Sequence, residues 1–270
     1  MANWDKVSGE GNVEDRRAAS SGLVVGGVGS LVLVLAFMFL GGKDPLLDSV
    51  LNGLAQNSST PSTLETRSLA PSEAAYKKFA SKVVASNNDS WPGILQQQAD
   101  GVQYVAPKLV LFRQATSAAC GAESSSVGPN YCSADQTVYL DETFFDDIYR
   151  QFGGSTGDVA QAYVISHEIG HHVQNLLGTL DSGADSVSLE LQADCYAGIW
   201  AKYAANQGII TAQEMQQAVS AASSVGDDHI QKEQTGTVRP DSFTHGSSAQ
   251  RVGALKTGFD KGTLAACKAL

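Results

Sequence analysis

At 270 residues the chain has room for one sizeable domain or two small ones, and 43% hydrophobic against 17% charged residues is a globular balance. The formal net charge is -10 and no Lys/Arg cluster stands out. A nucleic-acid partner is therefore not expected, because such binding needs basic surface to neutralise phosphates.

Residues 1–22 are polar and read as a disordered cytoplasmic tail. Leu23 to Gly42 carries no charged residue, and about 20 apolar residues span a bilayer core as a helix. The run is long and no small-x-small cleavage site precedes Lys43. This favours an uncleaved transmembrane helix over a cleaved signal peptide. Lys6, Arg16 and Arg17 precede the span and Lys43 follows it. The positive-inside tendency then predicts a single-pass cell-membrane protein with an extracytoplasmic main domain. Gly22 and Gly26 form a Gly-x-x-x-Gly pair, which leaves homo-oligomerisation through the span open. Residues 43–71 are rich in Ser, Thr, Asn and Pro and read as a flexible linker.

The folded domain is expected over 72–270. Tyr76, Phe79 and Val83 have helical spacing up to Ser86, and a shorter helix is expected after Ser90, near Pro92. Lys108 to Arg113 and Gln136 to Leu140 read as strands, with Asp141 capping a short helix through Tyr149. Asp158 to Leu177 reads as a helix capped by Asp158 and ended by Gly178. A second long helix is predicted from Ser186 to Asn206, closing at Gly208. A third is predicted from Thr211, where Thr211 and Glu214 form a capping box. A last helix follows Ser247, with Ser247 and Gln250 in the same arrangement, and ends at Gly258. The fold class is α+β, mainly helical, with a small sheet.

Of the four cysteines, Cys120 and Cys132 flank a Gly/Ser/Pro-rich loop and are expected to pair, leaving Cys195 with Cys267. An oxidising compartment permits such bonds. No pair has the Cys-x-x-Cys spacing of a thiolate zinc site.

The chemistry sits in His167-Glu168-Ile169-Gly170-His171. Residues four apart share one helix face, so two imidazoles can reach the same Zn²⁺ while Glu168 points near its open position. A catalytic zinc needs three protein ligands and an exchangeable water, whose proton a nearby carboxylate can take. Glu190, on the next helix, is the expected third ligand. Asp194, one turn on, would accept the remaining ring N–H of a zinc-bound histidine. A third histidine is excluded, because Gln174 and Leu177 stand where the metzincin pattern needs Gly and His.

His-Glu-x-x-His followed by Glu-x-x-x-Asp resembles the gluzincin group. The whole chain more closely resembles the neutral zinc metallopeptidases of bacteria, the YpfJ-like proteins. The matching pieces are residues 12–17 (NVEDRR), 167–178 (HEIGHHVQNLLG), 190–201 (ELQADCYAGIWA), 226–228 (GDD) and 244–251 (THGSSAQR). The resemblance implies zinc, a membrane anchor and a single zincin-like domain, but no particular substrate. By analogy with Ste24-like enzymes, His245 would stabilise the oxyanion and Arg251 would pair with Glu190. His229 is a rival for the oxyanion role that reads better as structural, and His172 reads as packing or surface.

The expected function is a membrane-anchored zinc endopeptidase in which Glu168 activates the metal-bound water. Its peptide or protein substrate is expected along an exposed edge strand, Gln136 to Asp141. A non-catalytic zinc-stabilised surface module and a cell-wall amidase are the alternatives. Retention of Glu168 argues against the first, since a structural zinc site needs no general base.

Overall fold

The computed structural model describes residues 1–18 and 69–268. The predicted span, its Gly22/Gly26 pair and nearly all of the linker lie outside the described residues. Among those described, no helix is long and apolar enough to cross a membrane.

Seven helices and six strands are described. They are β1 (Val13–Asp15), α1 (Pro71–Gln98), β2 (Lys108–Leu111), β3 (Ala115–Ala118), β4 (Gly121–Ser124), β5 (Asn130–Cys132) and β6 (Thr137–Leu140), followed by α2 (Thr143–Phe152), α3 (Asp158–Leu177), α4 (Ser186–Asn206), α5 (Met215–Ser224), α6 (Asp227–Thr235) and α7 (Ser248–Lys261). The fold is α+β and mainly helical, as composition and periodicity predict.

The main sheet runs β1-β2-β6-β5. β1 and β2 are parallel, β2 and β6 are parallel, and β5 is antiparallel to β6. β3 and β4 form a separate hairpin. The segment proposed as an exposed edge, Gln136 to Asp141, is therefore internal. All four β6 residues are buried between neighbours, and the edge on this side is β5. A fully buried strand loses the alternating pattern that marks an edge.

Several helix boundaries differ from expectation: α2 runs to Phe152 with Glu142, not Asp141, at its cap position, and two further differences have identifiable reasons. α1 runs unbroken through Ser86, Ser90 and Pro92. Its polar residues face inward and are satisfied there. Ser86 Oγ donates to Val83 O and accepts from Trp200 Nε1, while Asn87 Nδ2 donates to Val83 O and Ser166 Oγ. Such satisfied groups add no desolvation penalty to break the helix. α7 passes through Gly258 to a left-handed cap at Gly262. A side chain at Gly258 would collide with the Cys195 carbonyl of α4, so this glycine permits close helix packing instead of ending a helix. The Ser247/Gln250 capping box forms as expected. Thr211 and Glu214 also bond reciprocally, but the regular helix starts only at Met215.

α4 lies at the centre, packed against α3 and α7, with Trp91, Tyr196 and Trp200 among the most buried side chains of the core. Cys195 in α4 is bonded to Cys267, and Cys120 to Cys132. No free thiol is left.

The reading of residues 1–22 as a disordered tail is overturned for the described part. β1 hydrogen-bonds into the sheet, Asn3 N–H donates to Ile209 O and Gly11 N–H to Ser81 O. Asp158, the expected cap of α3, is its first residue, and Gly157 holds the cap position. The Asp158 carboxylate instead accepts from Ala2 N–H and Trp4 Nε1. A strand of three residues in a polar segment carries too little pattern to be recognised without its partner.

Candidate metal centre and cleft

His167, Glu168 and His171 project from the middle of α3, a helix whose other faces are buried along most of its length. Gly170 lets α4 approach: a Cβ there would lie 2.9 Å from Ala193 O. This close crossing sets Glu190 against the two histidines. His167 Nε2 lies 3.1 Å from Glu190 Oε2, and His171 Nε2 lies 3.3 Å from Glu190 Oε1. A donor atom from each of the three lies within 4.8 Å of the others.

The outward nitrogens are fixed. His167 Nδ1 is 2.8 Å from Asp194 Oδ1, and His171 Nδ1 is 2.8 Å from Gln174 Oε1. The Gln174 amide is oriented in turn by donating to Leu189 O and Gln192 Oε1. Each acceptor selects the Nδ1–H tautomer, so both Nε2 lone pairs face the same point as the Glu190 carboxylate. Two imidazoles, each oriented from behind, and a carboxylate are a donor set that Zn²⁺ takes in hydrolases. The residues present fit the metal.

Asp194 is completely buried and anchors this arrangement. It accepts from Tyr163 OH at 2.6 Å, from Arg251 Nε at 2.8 Å and from Arg251 Nη2 at 3.1 Å. Burial opposes its charge, but Arg251 and His167 outweigh that and hold its pKa at about 2. Arg251 thus pairs with Asp194 and not with Glu190 as expected. The physical reason is geometric: the Glu190 oxygens are turned to the imidazoles, while Asp194, one turn along, faces α7. Tyr163 was missed by sequence reading. It stands one turn before His167 on the same helix face, a spacing that could have suggested it.

Burial also acts on the site's own groups. It raises the pKa of the Glu168 carboxyl above the ordinary range. Burial works against charge on His167, but Asp194 and Glu190 prevail and raise it to about 10. A metal ion at this point must therefore displace a proton.

The three donors, Glu168 and Arg251 line an open cleft of about 570 Å³. One wall is the loop 125–129 with Asn130, Tyr131 and Ser133, on or beside β5; another is apolar, with Phe144, Ile148 and Phe152. His245 lines the same cleft. Its Nδ1 lies 3.3 Å from Asp227 Oδ1 and 2.9 Å from Thr244 Oγ1. The other Asp227 oxygen accepts the backbone N–H groups of Thr244, His245 and Gly246. Asp227, which carries no assigned role in the sequence reading, is the residue that holds this loop. It opens helix α6.

The remaining histidines are structural. His229 Nε2 donates to Phe152 O and the ring lies against the Phe152 ring. His172 is fully buried, donating from Nε2 to Val105 O and accepting at Nδ1 from Tyr131 OH. Burial lowers its pKa, which keeps it neutral in that role.

The geometry defines a helix-borne His-His-Glu metal centre with a buried carboxylate beside it. The chain belongs to the family described as "Putative neutral zinc metallopeptidase", which matches residues 2–270. It is 40% identical over 287 aligned positions to "Uncharacterized protein YpfJ" of Escherichia coli K12, covering 98% of this chain and 97% of that one. It is also 43% identical over 177 positions to "Uncharacterized protein Rv2575" of Mycobacterium tuberculosis H37Rv, covering 59% and 60% respectively. No solved structure matches.

Proposed function

We propose that the protein is a zinc-dependent endopeptidase that cleaves extended polypeptide segments, with His167, His171 and Glu190 as the metal ligands. The observation that carries this reading is the pairing of a three-donor metal centre with a fourth buried group, Glu168, that it does not need as a ligand. When bound, zinc would supply Lewis acidity to a carbonyl and acidity to a water.

The chain's own residues account for the rest. Glu168 takes the proton from the attacking water and returns it to the departing amine. Its raised pKa makes it a stronger base toward that water, since a protonated carboxyl is closer to stable here than at the surface. His245, held through Nδ1, can present Nε2 to the oxyanion as charge develops. Arg251 and Tyr163 act through Asp194 in this scheme, which in turn holds His167. The free edge of β5 can add an extended substrate by main-chain hydrogen bonds, which gives affinity with little sequence choice. Phe144, Ile148 and Phe152 favour an apolar side chain beside the scissile bond.

The test compares wild type with Glu168→Gln on a proteome-derived peptide library, with zinc content measured for both. Cleavage by wild type, and none by a variant that keeps its zinc, is the expected result. Equal cleavage by both, or none by zinc-loaded wild type, would sink the proposal.

A further inference from the structure

β1 lies at one edge of the main sheet and pairs in parallel with β2 through Val13–Leu109, Glu14–Val110 and Asp15–Leu111. Two arginines follow it. Arg16 Nη1 donates to Thr116 Oγ1 and Ser117 O in β3, whose partner β4 runs into the loop 125–129. Arg17 is buried, at 2% exposure.

Arg17 joins three elements. Its Nε and Nη2 donate to the two Asp15 oxygens of β1, a bidentate contact that fixes the plane of the guanidinium. Nη2 also donates to Glu73 O in the first turn of α1, and Nη1 donates to Glu142 Oε1 at 2.6 Å. Glu142 holds the cap position of α2 but makes no cap bond through its side chain. Its oxygens are taken by Arg17 and by Arg113, which also donates to Asp141 Oδ1 at 2.6 Å. Asp141 Oδ2 in turn accepts from Ser125 Oγ and Gln114 N–H. A chain of charge-assisted bonds therefore runs Arg17–Glu142–Arg113–Asp141–Ser125 and ends on a residue that lines the cleft.

Two walls of the cleft start from this chain. α2 carries Phe144, Ile148 and Phe152. It is tied at its N-terminal end through Glu142 and at its C-terminal end by His229 Nε2, which donates to Phe152 O. The loop 125–129 is tied by Ser125 and lies on α2: a Cβ at Gly128, where φ is +86°, would stand 3.2 Å from Phe144 Cε2. The metal ligands are supported elsewhere, with His167 held by Asp194 and Asp194 by Arg251 and Tyr163. Support of the metal centre and support of these walls are thus separate networks.

We propose that Arg17 is a positioning residue for substrate binding: through Glu142 and Asp141 it sets α2 and the loop 125–129 against the metal centre, so that an apolar side chain fits between them. The substrate half of this proposal rests on the peptidase reading; the brace does not. Arg17→Lys keeps the charge but loses the planar fork that reaches three partners at once. Glu142→Gln leaves Arg17 paired with Asp15 and removes the ionic link to α2.

The experiment uses the full, zinc-loaded chain as wild type, Arg17→Lys and Glu142→Gln. Amide hydrogen exchange without substrate should quicken in α2 and at 125–129 in both variants and stay unchanged in α3. KM for a peptide with Leu beside the scissile bond should rise about tenfold, with kcat and zinc content kept within about twofold. A peptide with Ala at that position should lose less. If Arg17→Lys does not fold, Glu142→Gln carries the same test. Unchanged exchange in α2 and at 125–129 would overturn the brace whatever the activity. Quickened exchange with an unchanged KM, or a fall in kcat at constant KM, would overturn its role in substrate binding. Zinc-loaded wild type that cleaves no peptide would count against the peptidase reading alone, and the exchange result would still decide the brace.

Discussion

The floor of the cleft and its His245 arm do related work under different constraints. On the floor, His167 and Asp194 are 6% and 0% exposed, and the ligand rings are pinned through Nδ1 by groups that are themselves pinned. The His245 side chain is 51% exposed, on a loop whose backbone amides bind Asp227 and whose Thr244 carbonyl binds Ser186. A ligand must be held whether or not substrate is present, so its support is built into the packing of α3, α4 and α7. The role proposed for His245 needs orientation but also access, and a loop held mainly through its backbone, by Asp227 and Ser186, leaves the ring half exposed.

The comparison breaks most visibly if a floor residue proves dispensable. His167→Ala, His171→Ala and Glu190→Gln should each lose zinc from purified protein and all hydrolysis with it, because three donors are needed around a tetrahedral ion. Metal analysis showing about one zinc per chain in all three variants would remove the centre as assigned.

His245→Ala should keep its zinc and slow turnover by roughly 10²–10³-fold, the range for losing one oxyanion donor. The loss should fall on kcat more than on KM, since the contact strengthens only in the transition state. Asp227→Asn should follow in the same direction with a smaller effect, read from the same kinetics. A His245→Ala variant with wild-type kcat would assign this loop to structure alone.

Asp194→Asn should weaken zinc affinity by about 10–100-fold without removing a ligand. It also leaves the Arg251 guanidinium buried against a neutral partner, and breaking a buried pair typically costs about 3–5 kcal/mol. A chelator competition and a denaturant melt read the two effects separately. If Asp194→Asn loses zinc while Glu190→Gln keeps it, the two acids have exchanged roles.

The smallest expected effect lies away from the cleft floor, where Asp141 fastens the 125–129 wall. Burial raises its pKa, but hydrogen bonds from Ser125, Thr143 and Gln114 outweigh that and leave it lowered. A carboxyl lowered on folding contributes stability that is complete above its unfolded value of about 3.9 and is lost as pH falls through the folded value. Acid unfolding followed by circular dichroism should therefore be less steep below pH 4 in Asp141→Asn, with the melt at neutral pH already weakened. An unchanged acid profile would show that Asp141 carries none of this dependence.

Much of the floor is legible in the chain because it is local. His167 and His171 are related by helix periodicity alone, and so are Glu190 and Asp194. The C-terminal end of α3 follows from Gly178 beside a long apolar pattern, although its expected cap, Asp158, proved to be the first helical residue. The partners of the arm are not legible in this way. Asp227 is separated from His245 by a helix and a loop, and nothing in its neighbours marks it as the acceptor of three consecutive amides. β1 was illegible for a different reason: three residues of a mainly polar segment become a strand only when β2 offers an edge.

What the sequence by itself determined is therefore the helix face shared by His167, Glu168 and His171, the one-turn spacing of Glu190 and Asp194, and the mainly helical class, since these rest on short-range spacing; of the three ways four thiols can pair, it favoured the one the structure has. Only the tertiary structure decided that Arg251 serves Asp194 and not Glu190, that β5 and not β6 offers the free edge, and that the N-terminal residues belong to the same body as the metal centre. Each of these is a choice among partners far apart in the chain, made by which surfaces pack closely enough to exclude water, and spacing along the backbone carries no record of it.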